Sequence, residues 1–398
     1  MALSASMVSR VFIFAFFFSS FTAAQQKFSI FDVRKYGAVG DGRQDNTQAF
    51  LRAWEDACRF KGKARFYVAA GIYMLGSVNF IGPCFGRLEF QLKGVLRAPS
   101  WSGHSDSWIT FRYIDKLVMR GGATGALDGQ GEYAWQLNDC HKNANCPAIP
   151  TTLRLEFISH SRVHHIRSIN SKNSHIVLFG CDNVNISNIR LSAPHNSPNT
   201  DGIKIGSSTA IRITDSIIGT GDDCVAVLPG CKDILVSNVT CAPGHGFSVG
   251  SLGRSQKEEN VTGFTVQNCT VSNSTNGIRI KTWESPYSSV ASGFIFQDIF
   301  MKDVENPIII DQLYCPYPPC NNQSPSHVQI KDVLYKNIWG TSSTEVAVSL
   351  SCSSALPCEN VVLKDINLNF QGSGGPAKSQ CSFVNGLSYG QQRPPSCL

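Results

Sequence analysis

The feature that most constrains this chain is a short motif that returns at nearly regular intervals through its C-terminal half. Each copy has alternating apolar residues, then Asn or Asp, then another apolar residue, as in VNISNI at residues 184–189. Alternation with a period of two favours β-strands over helices. The Asn or Asp positions are Asn188, Asp215, Asn238, Asn268, Asp298, Asp332 and Asp365.

The spacing of these copies predicts a solenoid. Successive copies are 23 to 34 residues apart, and most are followed by a second short strand such as GIKI at residues 202–205. Unequal intervals of this length favour stacked coils over propeller blades, which need about 40 residues or more. Asn and Asp suit left-handed corners and can cap neighbouring coils. We therefore predict an all-β fold, a single-stranded right-handed parallel β-helix.

The N-terminal region contains the best helix candidate, at residues 47–54. Asp45 and Asn46 precede it, and both are good N-cap residues. A β-helix leaves an apolar end open, and a short amphipathic helix would cover that end. Residues 25–398 would then form one domain. They exceed the usual size of a single globular core, but a solenoid is not subject to that limit.

Residues 1–24 predict a cleaved secretory signal peptide. Arg10 precedes the apolar run VFIFAFFF at residues 11–18, and small residues lead to a cleavage site before Gln25. The run is too short to cross a bilayer, and no later stretch is long and apolar enough to do so. We therefore expect a secreted, extracellular protein with no membrane partner.

Cysteine usage agrees with export. The chain has 15 cysteines and no zinc-type CxxC pair, so short-loop disulfides in an oxidising compartment are favoured. An odd number leaves at least one thiol without a partner in the chain, and Cys181 or Cys269 would be buried within a strand. The pairs close in sequence are Cys140/Cys146, Cys315/Cys320, Cys352/Cys358 and Cys381/Cys397.

The net charge and the glycosylation sequons indicate which molecules this chain binds or carries. The formal net charge of +6 is mild, and no Lys/Arg run indicates nucleic acid, whereas an anionic polysaccharide is compatible with it. We expect a monomer in which about half of six N-x-[ST] sequons carry glycans. The sequons begin at Asn185, Asn238, Asn260, Asn268, Asn273 and Asn322.

Three carboxylates and one imidazole fall at matching places in successive coils. Equivalent residues of stacked coils lie about 4.8 Å apart. Asp201 and Asp222 are separated by 21 residues, and Asp223 and His245 by 22, so each step is close to one coil. Like charges this close raise at least one pKa and cost stability. Glycoside hydrolysis needs such a cluster, because it uses one protonated acid and one ionised base.

A basic pair follows in the next coil. Arg279 and Lys281 come after an insertion at about residues 251–262. Strand alternation directs both side chains outward and Ile280 inward. Such a pair would bind the carboxylates of an anionic substrate.

Four segments together resemble the signatures of polygalacturonases, glycoside hydrolase family 28, of the plant type. They are SPNTDG at residues 197–202, GDDC at 221–224, GHG at 244–246 and RIKTW at 279–283. YGA at 36–38 and LDGQG at 127–131 extend the resemblance over nearly the whole mature chain. One of these motifs alone would be weak evidence, but four in order are specific.

The resemblance implies hydrolysis of α-1,4-galacturonosidic bonds of pectin with inversion, in the cell wall or apoplast. Asp222 would be the general acid. Asp201 and Asp223 would position and deprotonate the attacking water, and His245 would tune the acid. The family uses no metal and no other cofactor.

The resemblance also implies substrate contacts and one disulfide. Asn199, Arg279 and Lys281 would bind galacturonate, and Tyr314 matches a substrate-contacting Tyr. Asp311 stands where the family pattern has Asn, which weakens the assignment of Tyr314 only. A bond between Cys224 and Cys241 would bracket the strand that follows the Asp pair.

Other functions remain open at this point. A hydrolase of rhamnogalacturonan or xylogalacturonan would have similar motifs. A pectate lyase would use Ca²⁺ and an Arg base, and the same Asp residues are better explained as acid and base. A non-catalytic polysaccharide-binding β-helix would be expected to lack Asp222 or His245. The sequence does not decide between endo- and exo-cleavage.

Overall fold

The computed structural model describes residues 28–100, 105–137, 149–316, 318, 320 and 324–398. The predicted signal peptide, Cys140, Cys146 and the sequon residue Asn322 lie outside these ranges. In the part of the chain that is described, no helix is long and apolar enough to cross a membrane.

The described residues form 28 strands, two α-helices and a 3₁₀ turn at Val33–Tyr36. The helices are α1 (Thr47–Arg59) and α2 (Glu132–Leu137). Strands β1 to β10 are Ser29–Asp32, Asp41–Asp45, Ala64–Val68, Ile72–Met74, Val78–Ile81, Leu88–Leu92, Val95–Arg97, Ser107–Arg112, Val118–Arg120 and Ala126–Asp128.

The middle of the chain continues the same pattern of short strands. Strands β11 to β20 are Thr151–Glu156, Ser159–His164, Arg167–Ile169, Ile176–Phe179, Asp182–Ser187, Arg190–Ser192, Ile203–Gly206, Thr209–Gly219, Val225–Val227 and Lys232–Cys241. Strands β21 to β28 are Phe247–Leu252, Val261–Thr282, Ser288–Asp311, His327–Ser342, Val346–Ser351, Cys358–Phe370, Lys378–Ser382 and Val384–Arg393.

Strands of successive coils pair in parallel, which produces three stacked faces. One of them, face 1, contains β5, β8, β11, β14, β17, β19 and β21 in that order, followed by the ends of β22 and β23, then β25 and β27. This topology confirms the predicted parallel β-helix. The long strands β22 and β23 pass through all three faces, because their ladder resumes after each corner.

Strand alternation fills the interior of the coils. On face 1 the inward residues are fully buried, and each contributes about 1.5–3 kcal/mol by leaving water. They include Ile203, Ile205, Val225, Val227, Phe247, Val249, Ile278, Ile280, Ile308 and Ile310.

The repeated Asn and Asp residues form the corners of the coils. All seven have a φ between 51° and 57°, in the left-handed region that Asn and Asp tolerate best. Their side chains also connect coils: the Asn238 amide donates to Asp215 at 2.7 Å, and the Asn337 amide donates to Asp298 at 2.8 Å. The predicted role of these residues is therefore confirmed.

Helix α1 covers the first coil, as predicted, and extends five residues beyond the predicted end. Trp54 lies with its ring 4.8 Å from that of Phe80 in β5, and its indole N–H donates to the Ile81 carbonyl. Asn46 occupies the N-cap position but does not cap, because its amide bonds Val39, Gln44 and Met74 instead. The Asp45 carboxylate accepts a hydrogen bond from the Thr47 N–H at 2.9 Å. Asp45 therefore caps the helix in place of Asn46.

Five disulfides form among the described residues. Three of them join cysteines that the sequence analysis noted as close in the chain: Cys315–Cys320, Cys352–Cys358 and Cys381–Cys397. The fourth is Cys224–Cys241, which the family resemblance implied. The fifth, Cys58–Cys84, was not predicted, because it joins the end of α1 to the turn after β5 across 26 residues. Cys181, Cys231 and Cys269 are free and buried, which raises their pKa values.

The sequons differ in exposure. Asn185 is half-buried within β15, and the other four in the described part are exposed: Asn238, Asn260, Asn268 and Asn273.

Candidate active site

The register of face 1 brings the acidic residues together. Ile203 pairs with Val225, which pairs with Phe247, so one coil corresponds to 22 residues here. Asp201, Asp223 and His245 therefore occupy equivalent positions, each two residues before its strand. Asp222 lies one position earlier. The prediction that Asp201 and Asp222 occupy equivalent positions, 21 residues apart, is therefore wrong by one residue.

Asp222 still reaches the cluster because its turn is bonded to the next coil. Its carbonyl accepts from the His245 N–H at 2.9 Å. Its carboxylate accepts from the Asp223 N–H at 2.8 Å and lies 3.1 Å from His245 Nδ1. The Asp222 side chain is 23% exposed and that of His245 is 34% exposed. Asp222 is thus the carboxylate of the cluster that a substrate can approach.

Asp223 is enclosed by hydrogen-bond donors. Its Oδ1 accepts from Ser248 Oγ and from Arg279 Nη2, both at 2.7 Å, and its Oδ2 accepts from Lys281 Nζ at 2.9 Å. Burial by itself would raise the pKa of Asp223, but the charges of Lys281 and Arg279 outweigh burial and lower the pKa. Asp223 is therefore ionised throughout the neutral and mildly acidic range.

Asp201 has the opposite electrostatics. Its carboxylate is almost fully buried, with Lys204 Nζ at 2.9 Å. Burial raises the pKa of Asp201 to about 6, although Lys204 opposes that shift, and the charges of Asp222 and Asp223 add to it. Two neighbouring carboxylates thus have pKa values pushed in opposite directions, a pattern of acid–base sites.

The predicted basic pair lies on the outer side of β22, beside Asp223. Ile280 between them is fully buried, as alternation predicted. Lys281 Nζ lies 5.3 Å from the centre of the Tyr314 ring, and that ring contacts Trp283 edge-on at 5.1 Å. The predicted substrate-contacting Tyr is therefore next to the basic pair.

Asp311 pairs in register with Lys281 on the neighbouring strand. Burial raises the pKa of Asp311, opposed by its own hydrogen bond from the Leu313 N–H and by the charges of Arg279 and Lys281. The residue that departs from the family pattern thus lies directly beside the basic pair.

The turn before Asp201 is fixed by hydroxyl groups. Ser197 Oγ and Thr200 Oγ1 lie 2.7 Å apart, and Thr200 Oγ1 accepts from the Gly221 N–H of the next coil at 2.9 Å. Asn199 between them is half-buried, with a φ of 55°. The structure therefore places Asn199 at the edge of the cluster.

The glycines around His245 are required by close packing. A Cβ on Gly244 would lie 2.8 Å from Cys224 Sγ, a sulfur of the Cys224–Cys241 disulfide. Gly246 has a φ of 76°, and a Cβ there would lie 2.1 Å from the Gly277 carbonyl. The Gly-His-Gly sequence thus lets the imidazole reach Asp222 while its backbone packs against the next coil.

The same cluster has the spacing of a cation site. Ligand atoms of Asp222, Asp223 and His245 lie within 4.8 Å of one another. However, both oxygens of Asp223 already accept hydrogen bonds from Arg279 and Lys281. Two fixed positive charges on one ligand oppose a bound cation by Coulomb repulsion, so the donor set does not fit a metal.

Comparison with known proteins identifies the family of this chain. The glycosyl hydrolases family 28 profile matches residues 58–394. The chain belongs to glycosyl hydrolases family 28. This membership confirms the family resemblance and makes the protein a glycoside hydrolase.

Relatives of this family 28 hydrolase span nearly its whole length. It is 43% identical over 373 residues to an exopolygalacturonase of Platanus acerifolia, covering 93% of this chain and 98% of that one. It is 40% identical over 365 residues to a polygalacturonase of Brassica napus, covering 91% of both. A crystal structure of endo-xylogalacturonan hydrolase from Aspergillus tubingensis matches with a TM-score of 0.78, 24% identity, and coverage of 92% of this chain and all of that one. At this identity the structural match supports the fold only.

Two residues of the family 28 cluster were missed by sequence reasoning. Lys204 pairs with Asp201, and Ser248 connects Asp223 to Arg279, since Arg279 Nε lies 3.2 Å from Ser248 Oγ. Both occupy the outward position of the strand that follows a motif. The register places Lys204, Ala226, Ser248 and Arg279 in one row. Alternation within each strand was the signal that could have identified them.

Proposed function

We propose that this family 28 hydrolase is a secreted polygalacturonase, which cleaves α-1,4-galacturonosidic bonds of pectin in the cell wall. The observation that carries the proposal is the three-carboxylate cluster: Asp222, partly open to solvent and in contact with His245, lies beside Asp223, which Arg279 and Lys281 hold ionised, and Asp201. The names of the relatives, polygalacturonase and exopolygalacturonase, support the substrate.

We assign the residue roles from exposure and charge. Asp222, the most exposed carboxylate of the cluster, protonates the glycosidic oxygen, and its contact with His245 orients this acid and tunes its protonation. Asp201 and Asp223 hold and deprotonate the water that attacks the anomeric carbon from the opposite side, which inverts the configuration. Arg279 and Lys281 bind the galacturonate carboxylate together with Tyr314, and Asn199 contacts the sugar from the turn.

We further propose exo-cleavage, because relatives from Platanus acerifolia, Oenothera organensis and Zea mays are named exopolygalacturonases. A time-resolved product profile on polygalacturonate tests this. Monomer as the sole early product supports exo-cleavage, and a falling series of oligomers contradicts it.

The test of the main proposal is release of reducing ends from polygalacturonate, in EDTA, by the wild type and by Asp222→Asn. We expect activity without added calcium and a loss of at least about 10²-fold in kcat for the variant, because general acid catalysis contributes about 10²–10⁴-fold. Undiminished turnover by Asp222→Asn refutes the assignment of the acid. Unsaturated products that absorb in the ultraviolet would instead identify a lyase.

A further inference from the structure

A strip of exposed aromatic rings lies along face 1, on the N-terminal side of the carboxylate cluster. The aromatic strip consists of Tyr113, Phe157 and Phe179, which follow or end β8, β11 and β14 on three successive coils. The rings of Tyr113 and Phe157 are stacked, 5.3 Å apart and 11° from parallel. The Phe179 ring contacts Phe157 edge-on at 5.9 Å.

The backbone holds these rings toward solvent. Tyr113, Phe157 and Phe179 are 51%, 45% and 40% exposed. Tyr113 and Phe157 have φ values of 59° and 52°, a left-handed conformation that bulky residues rarely adopt and that the repeated corners fill with Asn or Asp.

The aromatic strip borders β17, the strand that follows Asp201. The Phe179 ring packs over Gly206, since a Cβ added at Gly206 would lie 3.6 Å from the ring. Gly206 ends β17, the strand that carries Lys204, the partner of Asp201. A substrate that crosses the outer side of β17 and extends toward the N-terminal coils would therefore reach Phe179 one coil away.

Cations flank the aromatic strip. The Arg112 guanidinium lies 5.9 Å from the centre of the Tyr113 ring and already pairs with the Glu156 carboxylate. A cavity of about 500 Å³ includes Asp115, two residues after Tyr113, in its lining. Arg87, Lys116 and Arg162 also line this cavity. Among the residues described, Arg87 and Arg162 form no ion pair, whereas Asp115 in the same cavity pairs with Lys116 and His160. The surface is therefore positive as well as aromatic.

We propose that the aromatic strip and its flanking cations bind the part of the acidic polysaccharide that extends over the N-terminal coils. This inference rests on the proposed function and adds a binding stretch to it. Exposed aromatic faces stack against sugar rings through their apolar C–H surface, and guanidinium groups pair with uronate carboxylates.

The test removes two rings while keeping the left-handed corners. The strip variant is Tyr113→Asn with Phe157→Gly, since Asn and Gly both accept a positive φ. The matched control is Phe300→Ala with Trp339→Ala, another exposed aromatic pair on successive coils, 6.0 Å apart. Binding of polygalacturonate and of trigalacturonate is measured in an Asp222→Asn background, and KM and kcat in the active enzyme.

For the strip variant we expect Kd and KM for polygalacturonate to rise about tenfold, because each aromatic contact contributes a factor of about three or more. Trigalacturonate values and the control pair should be unchanged. An unchanged polymer Kd, or an equal rise in the control pair, overturns the proposal. If the strip variant fails to fold, Phe179→Leu keeps the apolar packing, and an unchanged polymer Kd there refutes it as well.

The two proposals fail in different ways. A wild-type enzyme that hydrolyses neither polymer nor trimer refutes the proposed function. The binding comparison in the Asp222→Asn background still decides whether the aromatic strip holds an acidic polysaccharide.

Discussion

The substitution Lys204→Met tests whether the charge of Lys204 sets the pKa of Asp201, and with it the pH dependence of catalysis. In the proposed mechanism Asp201 acts while ionised, so activity falls as the pH drops through its pKa of about 6. Methionine keeps most of the side-chain length but removes the positive charge that lies 2.9 Å from the Asp201 carboxylate.

The size of the effect follows from Coulomb's law. Two unit charges 2.9 Å apart interact by about 1.4 kcal/mol even at the dielectric constant of water, which corresponds to about one pKa unit. Lys204 is partly exposed, so solvent screening keeps the effect near this lower limit. Removing the cation disfavours the ionised form, so the pKa of Asp201 rises to about 7 or above.

The assay is the pH dependence of kcat/KM on polygalacturonate, which reports groups of the free enzyme. We expect the acid limb of Lys204→Met to move upward by at least about one pH unit, with wild-type values recovered at higher pH. Lys204→Arg is the control, because it keeps the charge and should leave the limb in place. If the acid limb of Lys204→Met remains at the wild-type pH and kcat/KM falls equally at every pH, Lys204 binds substrate and does not set the pKa of Asp201.

Three further predictions concern stability. Asp201→Asn should raise the free energy of unfolding at pH 7 by up to about 3 kcal/mol, the equivalent of a pKa raised from 3.8 to about 6. A raised acid pKa destabilises the fold above the unfolded-state value, so in urea denaturation the gain should be complete above about pH 6 and disappear below about pH 4; a gain that persists at low pH contradicts the reasoning. Ser248→Ala should cost about 1.5–3 kcal/mol in the same assay, because it removes a donor to the buried, charged Asp223, and an unchanged midpoint would refute it. Gly246→Ala should lower the thermal midpoint much more than Gly375→Ala, since both glycines have positive φ but only Gly246 would clash; equal losses would mean that backbone strain alone decides.

The sequence by itself determined the architecture, because a coil repeat is a local pattern. Alternation predicts each strand, and Asn or Asp at each corner predicts the left-handed bend, as Asn188 and Asp365 show. The helix over the first coil could be predicted for the same reason, although its N-cap could not. Asp45 and Asn46 are equally good candidates in sequence, and the choice between them depended on the carbonyls of β4 and its neighbours.

The chemical groups could also be recognised in the sequence, whereas their electrostatics could not. Motif spacing placed Asp201, Asp223 and His245 on one edge but misjudged the register of Asp222 by one residue, and a change of one residue alters the environment of a side chain. Which carboxylate is buried, which has two cations and which is open to solvent depends on contacts across 20 to 60 residues, such as Lys281 with Asp223. Only the tertiary structure could decide those contacts, because burial and charge act through space and not along the chain.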